Sequence, residues 1–397
     1  MTETSDLTEG YDLVIPRKIT FGWGRRTALG DAAKQLGRRV FVVIGSRTFA
    51  AGRWAGEIEQ LLCNAGAEVR RLPVVAREPL VADVEQCVAE LRASGAARGD
   101  WLLAIGGGSA IDLAKAAGAI VTQDADARTI DFLEGVGSGR TIVEAPLPLV
   151  AMPTTGGTGS EATKNAVISS LDPPFKKSLR SEQMVPPWVI VDPELSTTVS
   201  AKVTLWTGMD AITQLIESYL TRRARPLPRA LAIEGLRKAL PAIGQAVREP
   251  ASRPAREAMA HAALLSGMAL ANSGLGMAHG VAAALGVCAD VPHGLACAVM
   301  LPVALRVNRA ACERDLATLA RAVGVSDDPD DTTAADRFVA RITELGQSLG
   351  VPQTLGALGV KIEQVPALVA GSRGNSMSGN PCDVSDAELR ELLEAML

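Results

Sequence analysis

The chain lacks several things, and each absence narrows what it does. It has no basic stripe: 40 Lys and Arg stand against 44 Asp and Glu, a formal charge of −4, which argues against a nucleic-acid surface. No uninterrupted apolar run approaches the roughly 18 residues of a membrane span. The start, Met1-Thr2-Glu3-Thr4-Ser5-Asp6, lacks the basic-then-apolar layout of a signal peptide, so the cytoplasm is the expected location. The six cysteines (Cys63, Cys87, Cys288, Cys297, Cys312 and Cys382) form no CxxC pair and are expected as buried free thiols, neither bridged nor metal-bound. There is no internal repeat and no low-complexity tract. Histidine is scarce, at three in 397, and two of the three sit in short glycine-containing segments.

What is present is an ordinary globular composition, 47% apolar and 21% charged, in a chain long enough for two or three domains with a sizeable core. The first half alternates strand and helix signals. Val40 to Ile44, Glu68 to Val75, Trp101 to Ile105, Leu147 to Met152 and Trp188 to Val191 read as strands, with helical spacing over 50–65, 81–94 and 110–121. That alternation predicts a mostly parallel sheet covered on both faces. From Val203 onward the periodicity is helical throughout. The boundary is placed between Asp192 and Ser200, giving an α/β domain over 1–195 and an all-helical domain over 196–397.

Gly106-Gly107-Gly108-Ser109 follows the third strand and opens a helix, a place where backbone N–H groups can approach a pyrophosphate. The fourth strand runs into Pro153-Thr154-Thr155-Gly156-Gly157-Thr158-Gly159-Ser160-Glu161, which adds hydroxyls and further glycines. Two such loops at strand ends describe a crevice for a dinucleotide. The first strand ends Ile44-Gly45-Ser46-Arg47, with no carboxylate to meet an adenosine ribose and with a guanidinium nearby. NADP(H) is therefore expected over NAD(H).

Asp210 and Gln214 lie four apart in a helical segment and share a face, while His279 (in Met277-Ala278-His279-Gly280) and His293 (in Pro292-His293-Gly294) come from later segments. Carboxylate and imidazole from separate segments suit a divalent Fe or Zn ion, with the Gln214 amide a weak fourth ligand. His261, in a helical stretch from Arg256 to Leu270, reads as structural.

Together these segments resemble the iron-containing (group III) alcohol dehydrogenase family. The resemblance is carried in order by Gly106 to Asp112, Pro153 to Glu161, Val191-Asp192-Pro193-Glu194-Leu195, Thr207-Gly208-Met209-Asp210-Ala211, Asp290-Val291-Pro292-His293-Gly294 and Gly379-Asn380-Pro381. It implies a dehydroquinate synthase-like fold, with a dinucleotide-binding α/β domain, a helical domain and a metal in the cleft between them. It also implies reversible alcohol–carbonyl oxidoreduction in a homodimer or higher homo-oligomer. By position it makes Gly107, Gly108, Ser109, Asp112, Thr154, Thr155, Thr158, Asn165 and Lys177 cofactor contacts, and Asp210, His279 and His293 metal ligands. Two positions depart from the family. Where Gln214 stands its iron enzymes usually have histidine, which leaves Fe and Zn both open. Four residues after His279 they often carry a proton-relaying histidine, and this chain has Ala283.

The expected reaction is hydride transfer between nicotinamide C4 and the carbonyl carbon of a small aldehyde or alcohol. No Lys or Arg occurs from Leu264 to Met300, favouring a neutral substrate, while Lys164 beside Asn165 offers a cation to an anionic one. The competing readings are a metal-independent reductase of the maleylacetate type and a catalytically silent cofactor-binding homologue.

Overall fold

The computed structural model describes residues 10–397; the polar start over 1–6 lies outside them. Six strands form one parallel sheet: β1 (Lys18–Phe21), β2 (Arg39–Ile44), β3 (Glu68–Arg71), β4 (Trp101–Gly106), β5 (Leu149–Pro153) and, beyond a hairpin, β8 (Trp188–Val191). The hairpin strands β6 (Asn165–Leu171) and β7 (Pro174–Arg180) pair antiparallel outside this sheet. The spatial order is β1-β8-β5-β4-β2-β3. In β4 every residue is buried, because Leu102 and Ala104 face one core while Trp101, Leu103 and Ile105 face another. That is why these strands read as continuous apolar runs rather than alternating ones. Helices Val81–Ala93 and Gly108–Ile120 cover the first face, and Leu29–Leu36 and Arg53–Asn64 the second.

From β2 the chain moves outward to β3, then returns to place β4 on the other side of β2. The order therefore reverses between β2 and β4, the position where open α/β sheets leave a crevice at their C-terminal edge. Gly45 and Gly106 end those two strands side by side, with Gly45 N–H donating to the Ile105 carbonyl at 3.0 Å.

After β8 the chain is helical to its end. The first long helix, Ala201–Leu220, is followed by Pro226–Arg248, Arg253–Asn272, Met277–Ala289 and His293–Asn308. Their apolar faces make one core that also takes in Ala162, Val189 and Val191, so the helices pack against the end of the sheet. Val191-Asp192-Pro193-Glu194-Leu195 is a joint at this seam. Asp192 accepts from the Gly24 and Arg26 N–H groups, and the Arg26 guanidinium bridges Asp192 (2.8 Å), Glu194 (2.7 Å) and Glu57 (2.7 Å). No single helix among the described residues is long and apolar enough to cross a membrane.

The observed strands β2, β3, β4, β5 and β8 lie where the sequence places them, though β3 stops at Arg71, short of Val75. Unforeseen are β1, whose Lys18 and Thr20 hide a four-residue strand, and the β6–β7 hairpin, whose Pro173-Pro174 turn interrupts the pattern. The cysteines are all free, as expected, but Cys63 is exposed and Cys288 and Cys382 only half-buried, which corrects the uniformly buried expectation.

Candidate active site

The two glycine loops meet face to face. Thr154 N–H donates to the Gly106 carbonyl at 2.9 Å, tying the second loop to the first. A Cβ on Gly108 would lie 2.7 Å from Thr158 Oγ1, and one on Gly107 would lie 3.3 Å from Thr155 Oγ1. Only glycine leaves the space between helix start and threonine hydroxyls that a cradle needs. Gly107 is the N-cap of helix Gly108–Ile120 with no side-chain cap, so the first-turn N–H groups face the cradle. Ser109, Thr155 and Thr158 are half-buried at its rim, and Thr154 is buried.

Gly45 sits at the neighbouring strand end. The Ser46 hydroxyl accepts from Phe49 N–H at 3.2 Å, capping the short helix Arg47–Ala50, and Arg47 is exposed. Lys177 is exposed on β7. Its neighbour Lys176, paired with Glu78 at 2.6 Å, is the cation whose charge reaches His293. Lys164 is paired with Glu182 at 3.3 Å.

Asp112 lies beneath the cradle, buried, with both oxygens in use: one accepts from the Ser160 hydroxyl, the other from Val167 N–H at 3.0 Å. One turn on, Lys115 is also buried. Its ammonium donates to the Ser160 carbonyl, to the Thr163 carbonyl and hydroxyl at 2.8 Å each, and to the Asn165 carbonyl at 3.1 Å. Lys115 thus clamps the chain leaving the second loop, and Asn165 enters β6 from that clamp. Burial pushes the Lys115 pKa down to about 8 and the nearby Glu161 carboxyl up to about 7, with each other's charge opposing.

On the helical side, Asp210, His279, His293 and Cys297 place one ligand atom each within 4.8 Å of one another. Asp210 projects from helix Ala201–Leu220, His279 from the first turn of Met277–Ala289, and His293 and Cys297, one turn apart, from His293–Asn308. His279 Nε2 is 3.1 Å from Asp210 Oδ1, His293 Nε2 is 4.0 Å from the same oxygen, and Cys297 Sγ is 3.8 Å from His293 Nε2. Donors bound at roughly 2.0–2.3 Å to one tetrahedral ion lie roughly 3.3–3.8 Å apart, so the spacing and the O, N, N, S chemistry fit a divalent metal.

Glu217 fixes His279. One of its oxygens accepts from His279 Nδ1 at 2.6 Å, and the other accepts from Ala278 N–H at 2.7 Å. A carboxylate at this helix start is favoured by the free N–H groups there, and it leaves Nε2 turned toward Asp210. Asn380 of the Gly379-Asn380-Pro381 segment completes the cap by accepting from Met277 N–H at 3.0 Å. Burial opposes a charged His279, but Cys297, Asp210 and Glu217 outweigh it and hold its pKa well above the ordinary value. Burial disfavours the Asp210 carboxylate, yet the two imidazoles keep its pKa low. His293 is pushed down to about 4, chiefly by burial and then by Lys176, and Cys297 up to about 12 by burial. His293 Nδ1 is buried without a hydrogen-bond partner.

Gln214 is engaged elsewhere. Its Oε1 accepts from the Ser266 hydroxyl at 2.7 Å, and its Nε2 donates to the Thr158 carbonyl at 3.3 Å. Thr158 therefore borders the cradle with its hydroxyl and holds the Asp210 helix with its carbonyl. Gly159, in the left-handed region at φ +61°, lets this loop lie against Gly267, whose Cα would sit 2.5 Å from an added Cβ. His261 stacks edge-on against Phe21 at 5.2 Å, a packing role.

Sequence reasoning missed Lys115, Glu217 and Cys297. Each had a signal: Lys115 is a lone cation in a helix of small apolar residues, Glu217 falls two turns after Asp210, and Cys297 one turn after His293. Cys297, expected only as a buried free thiol, places its sulfur within the cluster, where packing alone brings it.

A glycine-lined cradle at the switch point of a parallel sheet, joined through Thr158 to a helical half bearing an Asp–His–His–Cys cluster, is the arrangement of a dinucleotide-linked oxidoreductase. The family model for iron-containing alcohol dehydrogenase matches residues 16–193, and that for the C-terminal part of the Fe-containing alcohol dehydrogenase family matches 204–397. The 1,3-propanediol dehydrogenase of Klebsiella pneumoniae is 32% identical over 96% of this chain and 97% of its own. Among solved structures, 1,3-propanediol oxidoreductase superposes with a TM-score of 0.91 at 30% identity, covering 98% of this chain and 100% of that one. A sulfoacetaldehyde reductase from Bifidobacterium kashiwanohense in complex with NAD+ gives 0.86 at 28% identity, covering 98% and 99%. The chain belongs to the iron-containing alcohol dehydrogenase family, and it is an NAD(P)-linked alcohol dehydrogenase or aldehyde reductase acting on CH–OH groups.

Proposed function

We propose that this enzyme reduces small neutral aldehydes with NADPH, with a divalent metal held by Asp210, His279 and His293. The carrying observation is the double role of Thr158, which borders the cradle with its hydroxyl and ties it to the Asp210 helix through its carbonyl, supporting a cofactor held next to the ligand cluster. A metal held there would supply Lewis acidity that favours negative charge on the substrate oxygen.

The chain's own residues supply position and exclusion. The N-terminus of helix Gly108–Ile120 offers N–H groups and positive dipole to the pyrophosphate. Ser46, in place of a carboxylate, leaves room and no repulsion for a 2′-phosphate, and Arg47 is exposed beside it. Glu217 holds the His279 tautomer that presents Nε2 to the cleft. Ala283 provides no imidazole, so a water chain or a cofactor hydroxyl would have to deliver the proton that completes an alcohol. Lys164, already paired with Glu182, offers little to an anionic substrate, in keeping with the absence of Lys and Arg from Leu264 to Met300.

The test is oxidation of NADPH and NADH with a panel of neutral and anionic aldehydes, before and after chelation. Chelator-sensitive turnover of neutral aldehydes with NADPH is expected. Turnover indifferent to chelator would move the protein to the metal-independent reading, and a preference for NADH would remove the role given to Ser46 and Arg47.

A further inference from the structure

We infer that Cys297 is the fourth protein ligand of the metal centre, bound as a thiolate, in the role the Gln214 amide was expected to fill. This rests on the metal-dependent reading above. Three observations carry it. The Cys297 sulfur lies in the Asp210–His279–His293 cluster, with every ligand atom within 4.8 Å of the others. Cys297 is fully buried one helical turn from His293, so backbone geometry holds both side chains on the same face toward Asp210. Gln214 has both ends of its amide committed, to Ser266 and to the Thr158 carbonyl, and serves as a tether between the cradle and the ligand helix.

The chemistry follows from the donor set. Two imidazoles, one carboxylate and one sulfur form a borderline-soft, compact set suited to zinc or cobalt, whereas a neutral amide in place of sulfur would leave a harder one. Binding exchanges the Cys297 S–H proton, released to solvent, for a sulfur–metal bond, with no change of oxidation state. The Asp210 carboxylate and the thiolate together balance the charge of a divalent ion, so the filled donor set is neutral. Buried Cys297 then has a use that core packing does not require, because alanine or valine would fill the same apolar helix face.

The experiment is cobalt substitution of the full-length protein, stripped with a chelator and reloaded with Co(II) alone. A near-ultraviolet sulfur-to-cobalt charge-transfer band beside the visible d–d bands is expected. Cys297→Ser should abolish the charge-transfer band while keeping d–d bands, and should weaken zinc binding at least about tenfold in competition with a chromophoric chelator. Cys288→Ser and Gln214→Ala should keep the charge-transfer band. The wild-type spectrum decides the matter even where a variant folds poorly. Cobalt bound with d–d bands and no charge-transfer band overturns the thiolate while leaving the metal-dependent reading intact. No retained cobalt overturns both.

Discussion

Each half of the molecule buries a polar cluster, and the two are assembled in opposite ways. In the α/β half, Lys115 sends its protons to four oxygens while Asp112 accepts from Ser160 and Val167, so donors meet acceptors and the cluster closes on itself. In the helical half, Asp210, two imidazole nitrogens and a sulfur converge as acceptors or lone-pair donors, and His293 Nδ1 has no partner. Buried polar groups are costly unless satisfied, and a set of electron-pair donors is satisfied together only by a proton or a cation. The comparison separates scaffold from site: the first cluster fixes a loop, the second presents a donor set that fits a divalent ion.

The largest effect expected from breaking this contrast is at Asp210. Asp210→Asn should lower kcat/KM by on the order of 10²–10³-fold with loss of bound metal, checked by kinetics and metal content. Lys115→Met should leave catalytic chemistry untouched in principle but remove the cation from a closed cluster, destabilising the fold by about 3–5 kcal/mol in denaturant unfolding. If it unfolds no more easily than wild type, the clamp is not a clamp. Glu217→Gln keeps the shape but weakens the hold on His279, and metal affinity should drop by about 10–100-fold with smaller change in unfolding.

The smallest effect concerns Glu161, whose pKa burial lifts to about 7 from 4.5. The folded state then binds the proton more tightly than the unfolded one. Its contribution is complete below about pH 4.5 and is lost as pH rises through about 7. Comparing Glu161→Gln with wild type, the difference in Tm should move in the variant's favour by a few degrees between acidic and mildly alkaline buffer. A pH-independent difference would mean Glu161 does not titrate in this window.

Much of the fold was legible because local rules and tertiary demand agreed. Strands such as Trp101 to Gly106 are buried on both faces and so read as unbroken apolar runs ending in glycine. Where a short or polar strand depends on neighbours, as in β1 and the β6–β7 hairpin, the pattern was too weak to read. Asp210, His279 and His293 stood out by rarity and spacing, whereas Gln214 illustrates the limit of such reading. Its position beside Asp210 on one helix face was legible, but the direction of its amide was set by Ser266 and Thr158, which arrive from other segments.

The sequence by itself therefore determined the alternation of strands and helices and the two glycine loops at strand ends, and it singled out Asp210, His279 and His293 as candidate ligands, because these depend on near neighbours and residue chemistry. Only the tertiary structure decided that Lys115 clamps the second loop, that Glu217 orients His279, that the Cys297 sulfur lies in the cluster, and that the Gln214 amide bonds Ser266 and Thr158. Those choices depend on how helices distant in the chain pack, and helical spacing fixes which face a side chain shares but not which partner that face will meet.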